Sequence, residues 1–259
     1  MTFPRRILLA ASIAASTALE LPCVHAGEVH AVVGNAMMAA MKDLGPRFES
    51  DTGHKLTVVS EPPVPALKRL RDGERFDVVI YPRENIDSIE KSGFANPGAA
   101  VEVARARMGL AVARNAVKPD ISTPDALKRA LLEVRSIVHS DPVRGGAGGL
   151  NAVRLFEKLG IADVMKAKTV YPRIHSPVGV AQEVADGRAD MAVNQLHEMM
   201  LPPLQVLGPF PGDLAQGVSY WATVTLASAQ VQAARAFIDY VRSPPGRSVL
   251  EAHGLEAAR

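Results

Sequence analysis

Strand-like apolar runs alternate with helix-like amphipathic segments along almost the whole chain, and this alternation limits the fold more than any other feature. The apolar run 29–33 is followed by 36–49, in which Met37, Met41 and Phe48 are spaced for one helix face. Further strands are predicted over 56–60, 76–81, 108–113, 136–139, 169–171, 191–193 and 220–225, and further helices over 64–72, 124–132, 177–187, 229–241 and 244–252. The pattern predicts an α/β architecture with mostly parallel sheets.

The first 26 residues have the features of a secretory signal peptide. Arg5 and Arg6 precede an apolar run over 7–19, and the tripeptide 24–26 ends in the small residue expected at a cleavage site. The run is too short and too interrupted by polar residues to remain as a membrane span. We therefore predict cleavage after Ala26 and a periplasmic mature protein.

Cys23 is the only cysteine of the chain and precedes the predicted cleavage site. After cleavage, the mature chain has no thiol, disulfide or cysteine-based metal site. A second interpretation is a lipoprotein that keeps Cys23 as its acylated first residue. Glu20 and Pro22 disfavour this interpretation, because an apolar residue is expected where Glu20 stands.

Composition excludes several classes of function. The chain has 259 residues and a net charge of +2, and no basic run is interleaved with aromatic residues, so we predict no nucleic-acid surface. There is no phosphate-binding P-loop motif, no dinucleotide fingerprint and no metal-ligand spacing of histidines, so we predict neither cofactor nor metal. His139 and His175 each fit either acid–base work or a plain polar role at a strand end or turn.

Four strand-to-helix junctions are the predicted ligand-binding positions, because ligands of open α/β sheets bind beyond the carboxyl ends of strands. Helix N-termini there offer backbone N–H groups and a positive dipole end, which suit an anion. The junctions are residues 34–36, 60–64, 144–149 and 175–178. The candidate ligand-binding residues are Asn35, Ala36, Ser60, Tyr81, Arg144, Gly145, Gly146, Gly148, Ser176, Val178, Asn194 and Gln195.

The glycine-rich segment 140–149 is the most specific of these signals. Its glycines allow the backbone to approach a ligand closely, and Arg144 has the fork geometry that binds a carboxylate. The segment leads directly into a helix with Leu150, Val153 and Phe156 facing inward. The alternative interpretation is a flexible connection whose arginine faces solvent.

Two polar pairs follow other predicted strands. Tyr81 and Arg83 come after one buried strand, and Asn194 and Gln195 come after another. Each pair fits either the wall of a cleft or an exposed loop, since loops at strand ends carry binding residues on a rigid scaffold.

The mature chain resembles the periplasmic solute-binding proteins of the molybdate-receptor family over essentially its whole length. The matching stretches are 29–48 with 52–53, 72–81, 140–142, 155–162, 186–190 and 234–243. The resemblance implies a type II periplasmic binding fold, with two mixed, mostly parallel sheets, two hinge crossings and a ligand cleft between two lobes. It implies that residues 27–107 and 201–259 form the first lobe and residues 108–200 the second.

Departures from the molybdate-receptor pattern bear on the ligand. Asn35 and Ala36 stand where those receptors have a serine, residues 61–63 (Glu-Pro-Pro) replace a serine-rich run, and residues 194–195 replace a tyrosine. An acidic side chain and two prolines make a poor cradle for a tetrahedral dianion, whereas Arg144 suits a larger planar carboxylate. We therefore predict a monomeric receptor that binds a small carboxylate and feeds a membrane permease complex.

An enzyme is the alternative function. The chain also resembles a group that includes a periplasmic aconitate isomerase, which moves a proton between allylic carbons without a cofactor. That chemistry needs an anion clamp and one acid–base group beside the carbon-bound proton. In this chain Arg144 and the helix N-termini would form the clamp, and Glu61, His175 or Tyr81 would move the proton.

Overall fold

A computed structural model describes residues 26–144, 147–173 and 178–258, and for Arg144 it describes the backbone alone. The predicted signal peptide up to residue 25, with Cys23, lies outside the described residues. Within the described ranges, no helix combines the length and apolar character needed to cross a membrane.

Strands and helices alternate from residue 28 to residue 106, as the sequence pattern predicts, and the rest of the described chain also contains successive strands and successive helices. The strands are β1 (Glu28–Val33), β2 (Lys55–Ser60), β3 (Val78–Pro82), β4 (Val101–Ala106), β5 (Met108–Ala113), β6 (Ile137–Val138), β7 (Thr169–Val170), β8 (Met191–Gln195), β9 (Leu204–Leu207), β10 (Ser219–Val224) and β11 (Leu255–Ala257). The helices are α1 (Asn35–Thr52), α2 (Pro63–Arg71), α3 (Arg83–Lys91), α4 (Pro124–Glu133), α5 (Ala147–Lys158), α6 (Ala162–Lys168), α7 (Gly179–Ala185), α8 (Val231–Arg242) and α9 (Pro244–Ala252). Short 3-10 turns cover Pro142–Arg144, Leu196–Glu198 and Gly212–Ala215.

The first lobe contains a six-stranded sheet in the order β11-β4-β10-β3-β1-β2. Helices α1, α8 and α9 cover one face, where Phe48 and Phe237 pack edge to face with ring centroids 5.3 Å apart. Helices α2 and α3 cover the other face around Tyr81, Ile86 and Ile89. The sheet is buried on both sides, which explains the continuous apolar run in β3.

The second lobe contains a five-stranded sheet in the order β7-β6-β8-β5-β9. Helices α4, α5 and α6 pack on one face around Leu131, Phe156 and Met165. Helix α7 packs on the other face through Val180 and Val184. The predicted two-lobed α/β fold with two mixed sheets is confirmed.

Parallel pairing is confined to part of each sheet, in line with the expected mixed sheets but less extensive than the mostly parallel pairing that the sequence predicts. Strands β1, β2 and β3 pair in parallel, as do β6, β7 and β8. The strands next to the crossings between lobes, β4, β5, β9 and β10, pair antiparallel with their neighbours. Strands that enter and leave a lobe by one edge run in opposite directions, and crossover helices are not needed between them.

Strand β9 belongs to the second sheet, whereas the sequence analysis places residues 201 onward in the first lobe. Leu207 pairs with Leu110 of β5, and Phe210 and Ala215 lie in the second core. The chain therefore returns to the first lobe between Ala215 and β10. Strand β9 has four residues and lies among prolines, so the sequence shows no clear strand pattern there.

The two crossings between the lobes lie side by side. The backbone N–H of Ala106, at the end of β4, donates to the carbonyl of Val218, before β10, at 2.8 Å. A Cβ at Gly217 would stand 1.9 Å from the Ala106 carbonyl oxygen. Only glycine lets the two backbones approach this closely.

Candidate functional site

The carboxyl ends of β1, β2 and β3 bring four predicted site residues together. Val33 is in register with both Ser60 and Ile80, so the residues that follow these strands are neighbours. The Ser60 hydroxyl donates to Asn35 Oδ1 at 2.5 Å, and the Tyr81 hydroxyl donates to the Glu61 carbonyl at 3.0 Å. We name Asn35, Ser60, Glu61 and Tyr81 the first-lobe edge.

A second polar group forms where β6 and β8 end in the other lobe. The Asn194 side-chain amide donates to Ser140 Oγ at 3.3 Å and to Glu198 Oε2 at 2.7 Å. Gly148, in the first turn of α5, packs against the same amide. We name Ser140, Gly148, Asn194 and Glu198 the second-lobe edge.

Tyr220, the second residue of β10 in the first lobe, links the two edges electrostatically. Burial raises the pKa of Tyr220, and the negative charges of Glu198 and Glu84 raise it further. Glu84 lies in the first turn of α3, directly after β3, and Glu198 lies on the turn after β8. Glu198 of the second lobe therefore acts on a tyrosine of the first-lobe sheet.

The start of α1 suits an anion. The first hydrogen bond of this 18-residue helix runs from the Met37 N–H to the Gly34 carbonyl at 2.9 Å, so the N–H groups of Asn35 and Ala36 precede it. No acidic residue lies in the first turn. The positive end of the helix dipole is therefore not offset by a carboxylate of the same helix.

The start of α2 is a poorer anion site than the sequence analysis expects. Pro62, Pro63 and Pro65 have no N–H, so Val64 carries the one donor of this turn. Val64 itself is largely exposed. The prolines set the helix geometry well but remove the donors that make a helix N-terminus bind anions.

Glu61 is engaged by a cation of its own lobe. Arg69, on α2, ion pairs with the carboxylates of both Glu61 and Glu74, and these bonds raise the pKa of the guanidinium. The negative charge of Glu61, which was expected to disfavour a dianion, is therefore paired with Arg69. The same pairing turns the Glu61 carboxylate toward α2, which does not favour the predicted acid–base role.

Tyr81 is a buried wall of the first-lobe edge. Burial, followed by the nearby Glu61 charge, raises the pKa of Tyr81, so its hydroxyl keeps its proton and donates to the Glu61 carbonyl. Its ring lies beside Gly34, where an added Cβ would be 3.6 Å from Cδ1. This geometry favours a positioning role for Tyr81 over proton transfer.

The described glycines at the start of α5 are required by packing within the lobe. A Cβ at Gly148 would stand 1.6 Å from Asn194 Oδ1, and one at Gly149 would stand 2.0 Å from the Ser140 carbonyl oxygen. The sequence analysis explains these glycines by close approach of a ligand. In the structure they allow the first turn of α5 to contact the ends of β6 and β8.

Several predicted site residues lie outside the described part of the chain. These are Gly145, Gly146, His175 and Ser176, together with the side chain of Arg144. Their predicted roles remain predictions. Val178 is described and exposed, directly before α7, whose seven residues make a short helix.

Asn194 and Gln195 are buried at the end of β8, and are not part of an exposed loop. Neither Asn194 Oδ1 nor Gln195 Oε1 has a hydrogen-bond partner among the described residues. A buried acceptor without a donor costs free energy, and such groups in proteins commonly meet a ligand or an ordered water.

Glu198 and His197 were missed by the sequence analysis. Burial raises the pKa of Glu198 to about 7, against a lowering contribution from the Asn194 hydrogen bond. Burial lowers the pKa of His197 to about 4, and both of its ring nitrogens lack partners in the described structure. The available signal was the polar stretch 194–198, interrupted by Leu196, which begins with the last two residues of β8.

His139 is a polar core residue at the end of β6. Its Nδ1 lies 2.8 Å from the Ser140 carbonyl oxygen, and its ring packs edge to face against Tyr171. Burial lowers the pKa of His139. These contacts support the plain polar role over acid–base work. Across the described chain, no group of three or more potential ligands is arranged to hold a metal ion.

Comparison with known proteins gives concordant matches. The family model described as bacterial extracellular solute-binding protein matches residues 29–256. An aconitate isomerase from Pseudomonas sp is 29% identical over 264 residues, which cover 98% of this chain and 97% of that protein. The molybdate-binding protein ModA of Azotobacter vinelandii is 27% identical over 233 residues, which cover 88% of this chain and 90% of that protein.

A solved structure agrees with the fold. The substrate binding domain of a putative molybdenum ABC transporter from Clostridium difficile superimposes with a TM-score of 0.79. The match is 16% identical and covers 90% of this chain and 100% of that one. At this identity the match supports the two-lobed fold, and the ligand has to be argued from the site.

Proposed function

The chain belongs to the family of bacterial extracellular solute-binding proteins, and from this premise we propose that it is a periplasmic receptor for a small organic anion. Similarity to a molybdate-binding protein over 88% of this chain supports an anionic ligand. We propose further that its ligand carries carboxylates and is delivered to a membrane permease. Closure of the two lobes would seal the ligand in the cleft between their edges.

The observation that carries the carboxylate proposal is a fixed asparagine at each edge. Asn35 Oδ1 accepts from Ser60, which orients the amide so that its N–H donors point away from the serine. Asn194 donates to Ser140, which leaves its carbonyl oxygen as an acceptor. Asn35 can donate to an ionised carboxylate, and the Asn194 carbonyl can accept from a protonated carboxyl group, whereas a fully ionised tetrahedral oxyanion offers it no donor.

A calorimetric titration tests the ligand class. Purified mature protein is titrated with citrate, trans-aconitate, molybdate and tungstate under one set of conditions. The proposal expects heat from at least one carboxylate and weaker binding of both metal oxyanions. Tight binding of molybdate without measurable binding of any carboxylate would contradict the carboxylate proposal and leave the receptor role intact.

Catalysis of aconitate isomerisation is a second candidate function. It is favoured by the similarity to an aconitate isomerase over 98% of this chain. Glu198 also supports this function, because a carboxyl group with a pKa of about 7 suits proton transfer at neutral pH. The identity of 29% does not carry the activity over by itself.

One assay separates the receptor from the enzyme. The protein is incubated with trans-aconitate, and the cis isomer is followed by chromatography. Turnover that is lost in Glu198→Gln or His175→Ala but kept in Glu61→Gln would establish an isomerase and replace the receptor proposal. Measurable binding of aconitate without turnover supports the receptor.

A further inference from the structure

We propose that binding of an anion in the cleft is coupled to uptake of a proton by the carboxyl group of Glu198. This inference rests on the proposed function, because it requires that the cleft binds an anion. It adds that the cleft binds the anion with the Glu198 carboxyl group protonated. Glu198 lies on the turn after β8, whose Leu196 N–H donates to the Arg107 carbonyl at the crossing between the lobes.

Glu198 is a largely buried carboxyl group with no cationic partner among the described residues. Its side chain is 17% exposed, and its one described hydrogen bond comes from the neutral Asn194 amide at 2.7 Å. The nearest cationic candidate in the described structure is His197, with Nε2 3.9 Å from Oε1. Burial lowers the pKa of His197 to about 4, so this imidazole is neutral when an ordinary carboxyl group is ionised.

The carboxyl group is connected to the cleft through Asn194. The same amide nitrogen that binds Glu198 also donates to Ser140 Oγ, at the point where β6 passes into the glycine-rich segment. Gly148, at the start of α5, lies against the other side of this amide.

Within the described part of the chain, the other charged groups considered do not neutralise Glu198. From β10, Tyr220 faces it, and the charges of Glu198 and Glu84 both raise the pKa of this tyrosine, so the phenol is neutral. Arg107, at the crossing into β5, ion pairs with Glu256 of β11. The raised pKa of Glu198 is therefore due to burial, and the Asn194 hydrogen bond opposes it only in part.

A bound anion would place a negative charge near Glu198. It would lie at the start of α5 and near Asn194, where little water screens its charge from Glu198. A like charge disfavours the ionised form of a carboxyl group, so the pKa of Glu198 rises from about 7 when the anion binds. Proton uptake follows, and affinity falls as pH rises above about 7, by up to about tenfold per pH unit.

Titration calorimetry in two buffers of different ionisation enthalpy measures this proton directly. The probes are trans-aconitate and molybdate, each titrated at about pH 6.5, 7.5 and 8.5. The proposal expects uptake of a substantial fraction of one proton near pH 7.5 and an affinity that falls about tenfold or more across the series. Glu198→Gln is expected to abolish the uptake and flatten the series.

Glu84→Gln is the matched control, because it makes the same acid-to-amide change on an exposed residue that acts on the same tyrosine. It should keep the proton uptake. Binding without proton uptake in the wild type, or uptake that persists in Glu198→Gln, overturns the coupling and leaves the receptor proposal standing. If neither probe binds at any pH, both proposals fall.

A second measurement covers the case in which Glu198→Gln does not fold. The side-chain carboxyl carbon of Glu198 is followed by NMR through a pH titration of wild-type protein, with and without the anion. A rise in pKa on binding supports the coupling. An unchanged pKa overturns it.

Discussion

The two edges of the cleft satisfy their polar groups differently, and the first-lobe edge does so more completely. Ser60 donates to Asn35, and Tyr81 donates to the Glu61 carbonyl. Arg69 pairs with the Glu61 carboxylate. The first two contacts join segments at the ends of the parallel strands β1, β2 and β3, and the third joins Glu61 to α2, so these contacts form without a ligand.

The second-lobe edge is incomplete by comparison. In the described part of the lobe, the side-chain oxygens of Asn194 and Gln195 and both ring nitrogens of His197 lack partners. Glu198 has an amide partner but no cation. Each unpaired buried polar group costs roughly 1–3 kcal/mol, so a ligand or a proton that pairs with such a group removes this cost.

This difference teaches that the two lobes contribute to binding in different ways. The first lobe presents a preformed surface with its charges already paired, which favours positioning. The second lobe gains partners when the cleft is filled, which favours affinity and pH dependence. The predictions below test this contrast, from the largest expected effect to the smallest.

Gly149→Ala should destabilise the second-lobe edge most. The new Cβ would stand 2.0 Å from the Ser140 carbonyl oxygen, a backbone atom that cannot move aside cheaply. We expect a loss of about 3 kcal/mol in the free energy of unfolding, measured by chemical denaturation. Gly45→Ala in α1 is the first-lobe control, since its Cβ would meet Leu56 Cδ2 at an ordinary 3.5 Å. It should stabilise the fold by up to about 1 kcal/mol. Equal stability of Gly149→Ala and wild type would contradict the close packing.

Arg144→Ala should weaken ligand binding by roughly 1.5 to 3 kcal/mol, the range for a charge-assisted hydrogen bond lost from a closed cleft. Affinity is measured by calorimetry with the best ligand found. Arg154→Ala, on the exposed side of α5, is the matched control and should leave affinity unchanged. If Arg144→Ala changes neither affinity nor the melting temperature of the free protein, the arginine faces solvent and the binding role is wrong.

His197 and Glu198 should make opposite contributions to the pH dependence of stability. The pKa of Glu198 is raised from 4.5 to about 7, so the stability that it adds at low pH is lost as pH rises through about 7. The pKa of His197 is lowered from 6.5 to about 4, so the stability that it adds at high pH is lost as pH falls through about 4. Between about pH 4.5 and 6.5 the two slopes cancel.

Single variants should expose each slope. In Glu198→Gln, the free energy of unfolding should fall by about 2 kcal/mol between about pH 6.5 and 4.5, because His197 then acts alone. In His197→Gln it should rise by a similar amount over the same interval. Denaturation curves at four pH values measure both. If neither substitution changes how the free energy of unfolding depends on pH, the burial of His197 and Glu198 is contradicted.

Asn35→Ala should have the smallest effect, because the first-lobe edge is already paired. We expect affinity for a carboxylate to fall by about 0.5–1 kcal/mol, the worth of one neutral hydrogen bond. Asn35→Ser offers a hydroxyl in place of the amide and should shift relative affinity from the carboxylate toward molybdate. Calorimetry with both ligands measures the ratio. A larger loss in Asn35→Ala than in Arg144→Ala would reverse the contrast between the lobes.

Local sequence patterns predicted much of the fold and part of the site. The positions of β1, β3 and α1 follow from apolar periodicity, which depends on neighbours in the chain. The junctions after β1 and β2 were predicted from the rule for strand ends, and the structure brings Asn35 and Ser60 into contact. Strand β9 was missed, because a four-residue strand among prolines has too short a pattern to detect.

The electrostatic state of the site was decided by tertiary structure alone. The sequence indicates that Glu61 and Glu198 are acidic, but it does not reveal that Arg69 pairs with the first and that the second is buried without a cation. A pKa depends on which groups surround a side chain in space, and Tyr220 comes to Glu198 from the other lobe. Sequence periodicity therefore determined the elements and their order, whereas packing between distant segments decided which carboxyl group can carry a proton.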